Sequence, residues 1–87
     1  MATVHIPAAM RKLTGGETKV VVPGDTLEAV IANLETTYPG LKSRLVEGER
    51  IRPGLATFVD GVNASSALST RLGANAEIYF APAMAGG

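Results

Sequence analysis

The stretch KVVVPGDTLEAVIANLETTYPG, residues 19 to 40, decides the fold. Its opening closes a strand. Glu17 to Val22 ends in three consecutive valines, and Pro23-Gly24 breaks the run. Asp25-Thr26-Leu27-Glu28 then reads as a helix start. Asp25 is the expected cap, accepting from the amide near Glu28 while Glu28 reaches back, a capping box with Asp in place of Ser or Thr. Leu27, Val30, Ile31 and Leu34 follow at i, i+3, i+4 and i+7, which is one apolar helical face. Pro39-Gly40 predicts the helix end near Tyr38.

Upstream, Thr3 to Ile6 alternates and reads as a short strand that Pro7 ends. Pro7 to Gly16 reads as a loop closed by Gly15-Gly16, so the first two strands form an antiparallel hairpin. Downstream, Leu41 and Leu45 share one face of a short helical turn, and Glu47 to Gly54 is polar enough for a loop. Leu55 to Asp60 is a third strand, with Asp60-Gly61 a tight-turn pair. Ala64 to Thr70 reads as irregular, with Leu68 and Leu72 inward, and Ala76 to Ala81 is the last strand, ended by Pro82. One helix covers only one face of a sheet. Alternation puts Val4, Ile6, Val20, Val22, Val59, Ile78 and Phe80 on that face, and His5, Val21, Phe58, Tyr79 and Ala81 on the other. The order predicts an α+β fold, a ubiquitin-like β-grasp: a mixed sheet of four to five strands with one main helix packed on one face. The expected organisation is a β-grasp domain over 1–82 and a flexible Gly-Gly tail over 83–87.

Composition narrows the chemistry. The 87 residues allow one domain, and 46% apolar residues can build its core. Eight Lys+Arg balance eight Asp+Glu, which gives no general attraction to nucleic acid or an anionic membrane. The chain has no cysteine, so thiol catalysis, disulfides and cysteine-ligated metals drop out. His5 is the only histidine, too few for a His-based metal cluster or a Ser-His-Asp site. No secretory signal pattern and no membrane-spanning apolar run are present, and a cytoplasmic location is expected.

The strand order, the capped helix at Gly24-Asp25-Thr26-Leu27 and the run Pro82-Ala83-Met84-Ala85-Gly86-Gly87 together resemble the sulfur carrier family, which includes the thiamin carrier and the small subunit of molybdopterin synthase. The likeness spans nearly the whole chain. Ile6-Pro7 followed by Leu13-Thr14-Gly15-Gly16 is most similar to the carrier of actinobacterial cysteine biosynthesis. The resemblance implies a protein co-substrate, not an enzyme. An E1-like adenylating enzyme would activate the Gly87 carboxylate with ATP, and a sulfur donor would displace AMP to leave a thiocarboxylate. A sulfur-accepting synthase would then take the sulfur, for cysteine, molybdopterin, thiamin or a thio-metabolite. A metallopeptidase is a further implied partner. The carrier itself would bind no cofactor and no metal, ATP being used by the partner, and would be a monomer when free.

The tail suits that task. Glycine lacks a Cβ, so Gly86-Gly87 can thread a narrow channel, and Ala85 and Met84 continue the thread. Pro82 removes an amide donor, which helps release the tail from the sheet. Gly-Gly alone is a weak signal, since many chains end in small residues. After a strand-ending proline in this strand order it gains force. Phe58 and Tyr79 are candidate partner-binding residues, against the plain alternative that an open sheet face needs some apolar packing. His5 reads as a surface strand residue, Arg11, Lys12, Arg44, Arg50 and Arg52 as a solvated surface, and Gly15-Gly16 as a turn. Two other functions fit the same residues: a ubiquitin-like modifier conjugated through Gly87, and a non-catalytic β-grasp interaction module.

Overall fold

Alternation in the first residues builds the sheet. Strand β1, Ala2–His5, buries Ala2 and Val4, and strand β2, Lys19–Val22, buries Val20 and Val22. They pair antiparallel, Val4 opposite Val20. The structure is a computed structural model that describes residues 1–64 and 68–82. The link between β1 and β2 differs from the expected loop. Ala8–Thr14 forms a 3₁₀ helix that starts after Pro7 and ends at Gly15, whose φ of 66° closes it. Met10 and Thr14 fall on its inner side, and the Thr14 hydroxyl donates to the carbonyls of Arg11 and Glu17 at 3.0 and 2.9 Å. Good helix formers between Pro7 and Gly15 had carried that signal.

The helix α1, Leu27–Thr37, buries Leu27, Val30, Ile31 and Leu34 as the spacing predicts. Its cap is Thr26, one residue later than expected: the Thr26 Oγ1 accepts the Ala29 amide at 3.1 Å. The capping box on Asp25 does not form, because the segment around Leu68 to Leu72 competes for its groups. The Glu28 amide donates to the Leu68 carbonyl at 2.9 Å, and the Leu27 amide to that of Thr70 at 3.0 Å. Asp25 gives its own carbonyl to the Leu72 amide. Distant backbone thus satisfies the donors a helix start leaves open. Gly24 permits this entry. A Cβ there would lie 2.8 Å from the Val30 amide nitrogen, and its φ of 147° disfavours other residues.

In the last turn of α1, Glu35 accepts the amides of Lys42 and Gly40 at 2.9 and 3.1 Å. These bonds, Lys42's first, hold its carboxyl below the usual range. They fix the start of the short helix α2, Leu41–Leu45, which buries Leu41 and Leu45. The expected loop over 47–54 contains a hairpin instead, β3 Val46–Glu47 against β4 Arg50–Ile51, whose Ile51 is buried in the core. Polarity hid it, because only one residue in each two-residue strand turns inward.

Strand β5, Leu55–Val59, reaches Asp60-Gly61, which have φ values of 51° and 84° and turn the chain into β6, Val62–Asn63. Strand β7 is Glu77–Pro82. Among the described residues the main sheet has the order β2-β1-β7-β5-β6, with β1 and β7 parallel and the other neighbours antiparallel. The mixed β-grasp sheet is therefore present with five strands, and α1 packs on one face. Val59, Leu68 and Leu72 are partly buried against the core. No described helix is long and apolar enough to cross a membrane.

One inward residue of the sheet is polar. Thr57 on β5 is fully buried, and among the described residues its hydroxyl has no hydrogen-bond partner. A buried unpaired polar group costs about 1–3 kcal/mol. Thr57→Val, of nearly the same shape, should stabilise the domain by about 1 kcal/mol, raising Tm by roughly 4–8 °C. A thermal melt that moved downward would show that the hydroxyl has a partner.

Candidate functional site

Opposite the helix, strand register assembles a row of side chains. Lys19 on β2 pairs with His5 on β1, His5 with Tyr79 on β7, Tyr79 with Phe58 on β5, and Phe58 with Asn63 on β6. The two residues singled out from parity, Phe58 and Tyr79, are direct cross-strand partners. Tyr79 is 46% exposed, Phe58 is half-buried, and Val21 lies open on the β2 edge of the same face.

The sequence did not reveal how His5 joins this pair. Its ring lies flat on Tyr79, with centroids 3.8 Å apart and planes 5° from parallel. His5 Nε2 lies 2.7 Å from Glu77 Oε1. A carboxylate accepts and does not donate, so Nε2 carries the proton in this bond. Glu77 is held in turn. Its amide donates to the Asp60 side chain at 2.9 Å, and the Asp60 amide donates to its carbonyl at 2.9 Å. The alternation of residues 3–6 and 76–81 gives facing but not register. The parallel pairing of β1 with β7 is what places His5 beside Tyr79. Ring surface flanked by hydrogen-bonding edges suits binding rather than bond-making.

Strand β7 lies between β1 and β5: residues 77–79 pair with β1 and residues 78–82 with β5, so the stretch leading toward residue 83 is held by β5. Pro82 is the last residue of β7, Cα-paired with Leu55, rather than the residue that ends the strand from outside. It has no amide to give a ladder, but the last position tolerates that. Met84, Ala85 and Gly86, expected to thread a partner channel, and Gly87, the expected site of adenylation, lie outside the described residues, as does the whole 83–87 tail.

On the helical side a groove of about 300 Å³ runs between α1, α2 and the β3–β4 hairpin, lined by Glu28, Ile31, Lys42, Val46, Glu49 and Leu68 among others. Among the described residues, none of Phe58, Tyr79 and Pro82 lines it. Among the described residues no group of three or more His, Cys, Asp or Glu could hold a metal ion.

Comparison with known proteins places this geometry. The model of the ThiS family matches residues 4–87. The sulfur carrier protein CysO of Mycobacterium tuberculosis is 39% identical over 92 residues, covering 98% of this chain and 97% of that protein. The structure resembles that of the Amycolatopsis orientalis BexX/CysO complex, with a TM-score of 0.90, 31% identity and full coverage of both chains. It also resembles crystalline Mycobacterium tuberculosis CysO, with a TM-score of 0.88 at 31% identity, over 97% of this chain and 100% of that one.

Proposed function

We infer the function from one premise: this chain belongs to the ThiS family. It is a sulfur carrier, a protein co-substrate rather than a catalyst. The observation that carries the reading is the family match, which runs through the fold and on to residue 87. The chemistry lies on the Gly87 carboxylate. A carboxylate is a poor electrophile. Its oxygen attacks the α-phosphorus of ATP, pyrophosphate leaves, and the acyl adenylate now has AMP as a leaving group. A sulfide equivalent attacks the acyl carbon, AMP departs, and a thiocarboxylate remains. The activated end must be enclosed, because water competes for it. The carrier's own residues bind and present; ATP and the reacting groups belong to an E1-like adenylating enzyme.

Strand β7 fits that division of labour. Tyr79 on its outer face can be held by the adenylating enzyme while the residues after Pro82 enter its site. Holding both fixes the distance between docking surface and reacting carboxylate. That a relative is seen in a BexX/CysO complex supports a protein partner for this chain too. A second partner, a sulfur-accepting synthase, takes the sulfur, and the likeness to the carrier of cysteine biosynthesis favours the cysteine route. No bound cofactor is needed for this role.

The test is the mass of the intact protein from cells. We expect a form heavier by the difference between one sulfur and one oxygen, with the change located at Gly87 by fragmentation. High-mass conjugates to lysines of other proteins would favour the modifier reading, and an unmodified terminus under sulfur demand would overturn both.

A further inference from the structure

We propose that His5 is a positioning residue of the docking face, acting through Tyr79 to set how tightly the carrier binds its adenylating enzyme. The inference rests on the carrier reading above. A tyrosine on an open sheet face has several staggered rotamers within reach. Here the His5 ring restricts it, lying flat against one face of the phenol with centroids 3.8 Å apart, and Phe58 is its Cα partner on β5. The imidazole is itself fixed. Its ring orientation is set by the 2.7 Å bond from Nε2 to Glu77. The Glu77 backbone is set by the paired bonds to Asp60 at the β5–β6 turn. A chain of contacts therefore runs from the Asp60-Gly61 turn through Glu77 and His5 to Tyr79, joining β5, β7 and β1.

The consequence is pre-organisation. Ordering a side chain at an interface weakens binding, and a ring already ordered in the free protein avoids that loss. His5 is more covered than its partner: its side chain is 25% exposed against 48% for Glu77. It is therefore placed to support Tyr79 rather than to lead the contact. This gives a residue without catalytic chemistry a part in the first step, visible as affinity and not as turnover.

The experiment measures ATP–pyrophosphate exchange by the E1-like adenylating enzyme of the same organism, with carrier concentration varied. His5→Ala should raise the KM for the carrier about fivefold and leave kcat unchanged. His5→Phe keeps a ring on Tyr79 and should stay within about twofold of wild type. The deciding variant is His5→Ala in a Tyr79→Ala background. If His5 works through Tyr79, the double variant is no worse than Tyr79→Ala alone. Circular dichroism confirms folding, and in the free protein the His5 ring-proton NMR signals should lose their upfield shift in Tyr79→Ala. Unchanged KM in His5→Ala, a fall in kcat alone, or additive effects in the double variant would each overturn the positioning role while leaving the carrier intact. Absence of exchange with the wild-type chain would instead overturn the carrier reading, and this inference with it.

Discussion

Gly87→Ala should leave the folded domain as it is and lower ATP–pyrophosphate exchange about 100-fold, the loss expected when a reacting group is displaced by about 1 Å. The two halves of that expectation have separate causes. The buried apolar residues run from Ala2 to Phe80, so a substitution at residue 87 leaves the described core unchanged and should not shift a denaturation midpoint. At the reacting end the added methyl sits on the carbon next to the carboxylate. On the proposed role it would obstruct a channel that admits only a backbone without side chains, and would restrict the dihedral angles through which the carboxylate reaches the α-phosphorus. Equilibrium binding to the enzyme should change much less than turnover, because the proposed docking face is untouched. Exchange at the wild-type rate would mean that the carboxylate of Gly87 is not the acceptor.

Replacing Phe58 and Tyr79 together by alanine should have the opposite signature. Aromatic anchors near the centre of an interface often contribute 2 kcal/mol or more by truncation. We expect at least tenfold weaker binding to the adenylating enzyme, about 1.4 kcal/mol, in a calorimetric titration. Phe58 is half-buried, so the double variant loses some stability as well. Tyr79→Ala alone, which removes the more exposed ring, separates the two effects. Full affinity in that folded single variant would remove the outer sheet face from the mechanism and leave the Gly87 chemistry standing.

What the sequence made legible follows from range. The helical face of Leu27, Val30, Ile31 and Leu34 and the alternation of Val4, Val20, Ile78 and Phe80 are local patterns, and each predicted the side that is buried. Phe58 and Tyr79 came from the same parity, and β5–β7 pairing brings them together. Errors arose where a distant segment decides. The cap moved from Asp25 to Thr26 because residues 68–72 take the neighbouring amides and carbonyl. The β3–β4 hairpin and β6 are two residues per strand, too short for a period to register. Glu77 carries no local signal, since nothing in its neighbourhood ties it to a histidine 72 positions away. The proposed reacting terminus rests on resemblance, through Pro82 to Gly87, and on no pattern of burial.

The central place of β7 also has a mechanical meaning. A pull on Pro82 along its strand cannot unzip bonds one at a time, as it would at a hairpin edge. It must shear two ladders together, three paired positions with β1 and five with β5. The domain therefore acts as a stop at the mouth of any channel that draws in the chain beyond it. Fully extended, residues 83–87 would span at most about 18 Å. Tension on the end is borne by the middle of the sheet, so the tail can be held taut without the domain unravelling behind it.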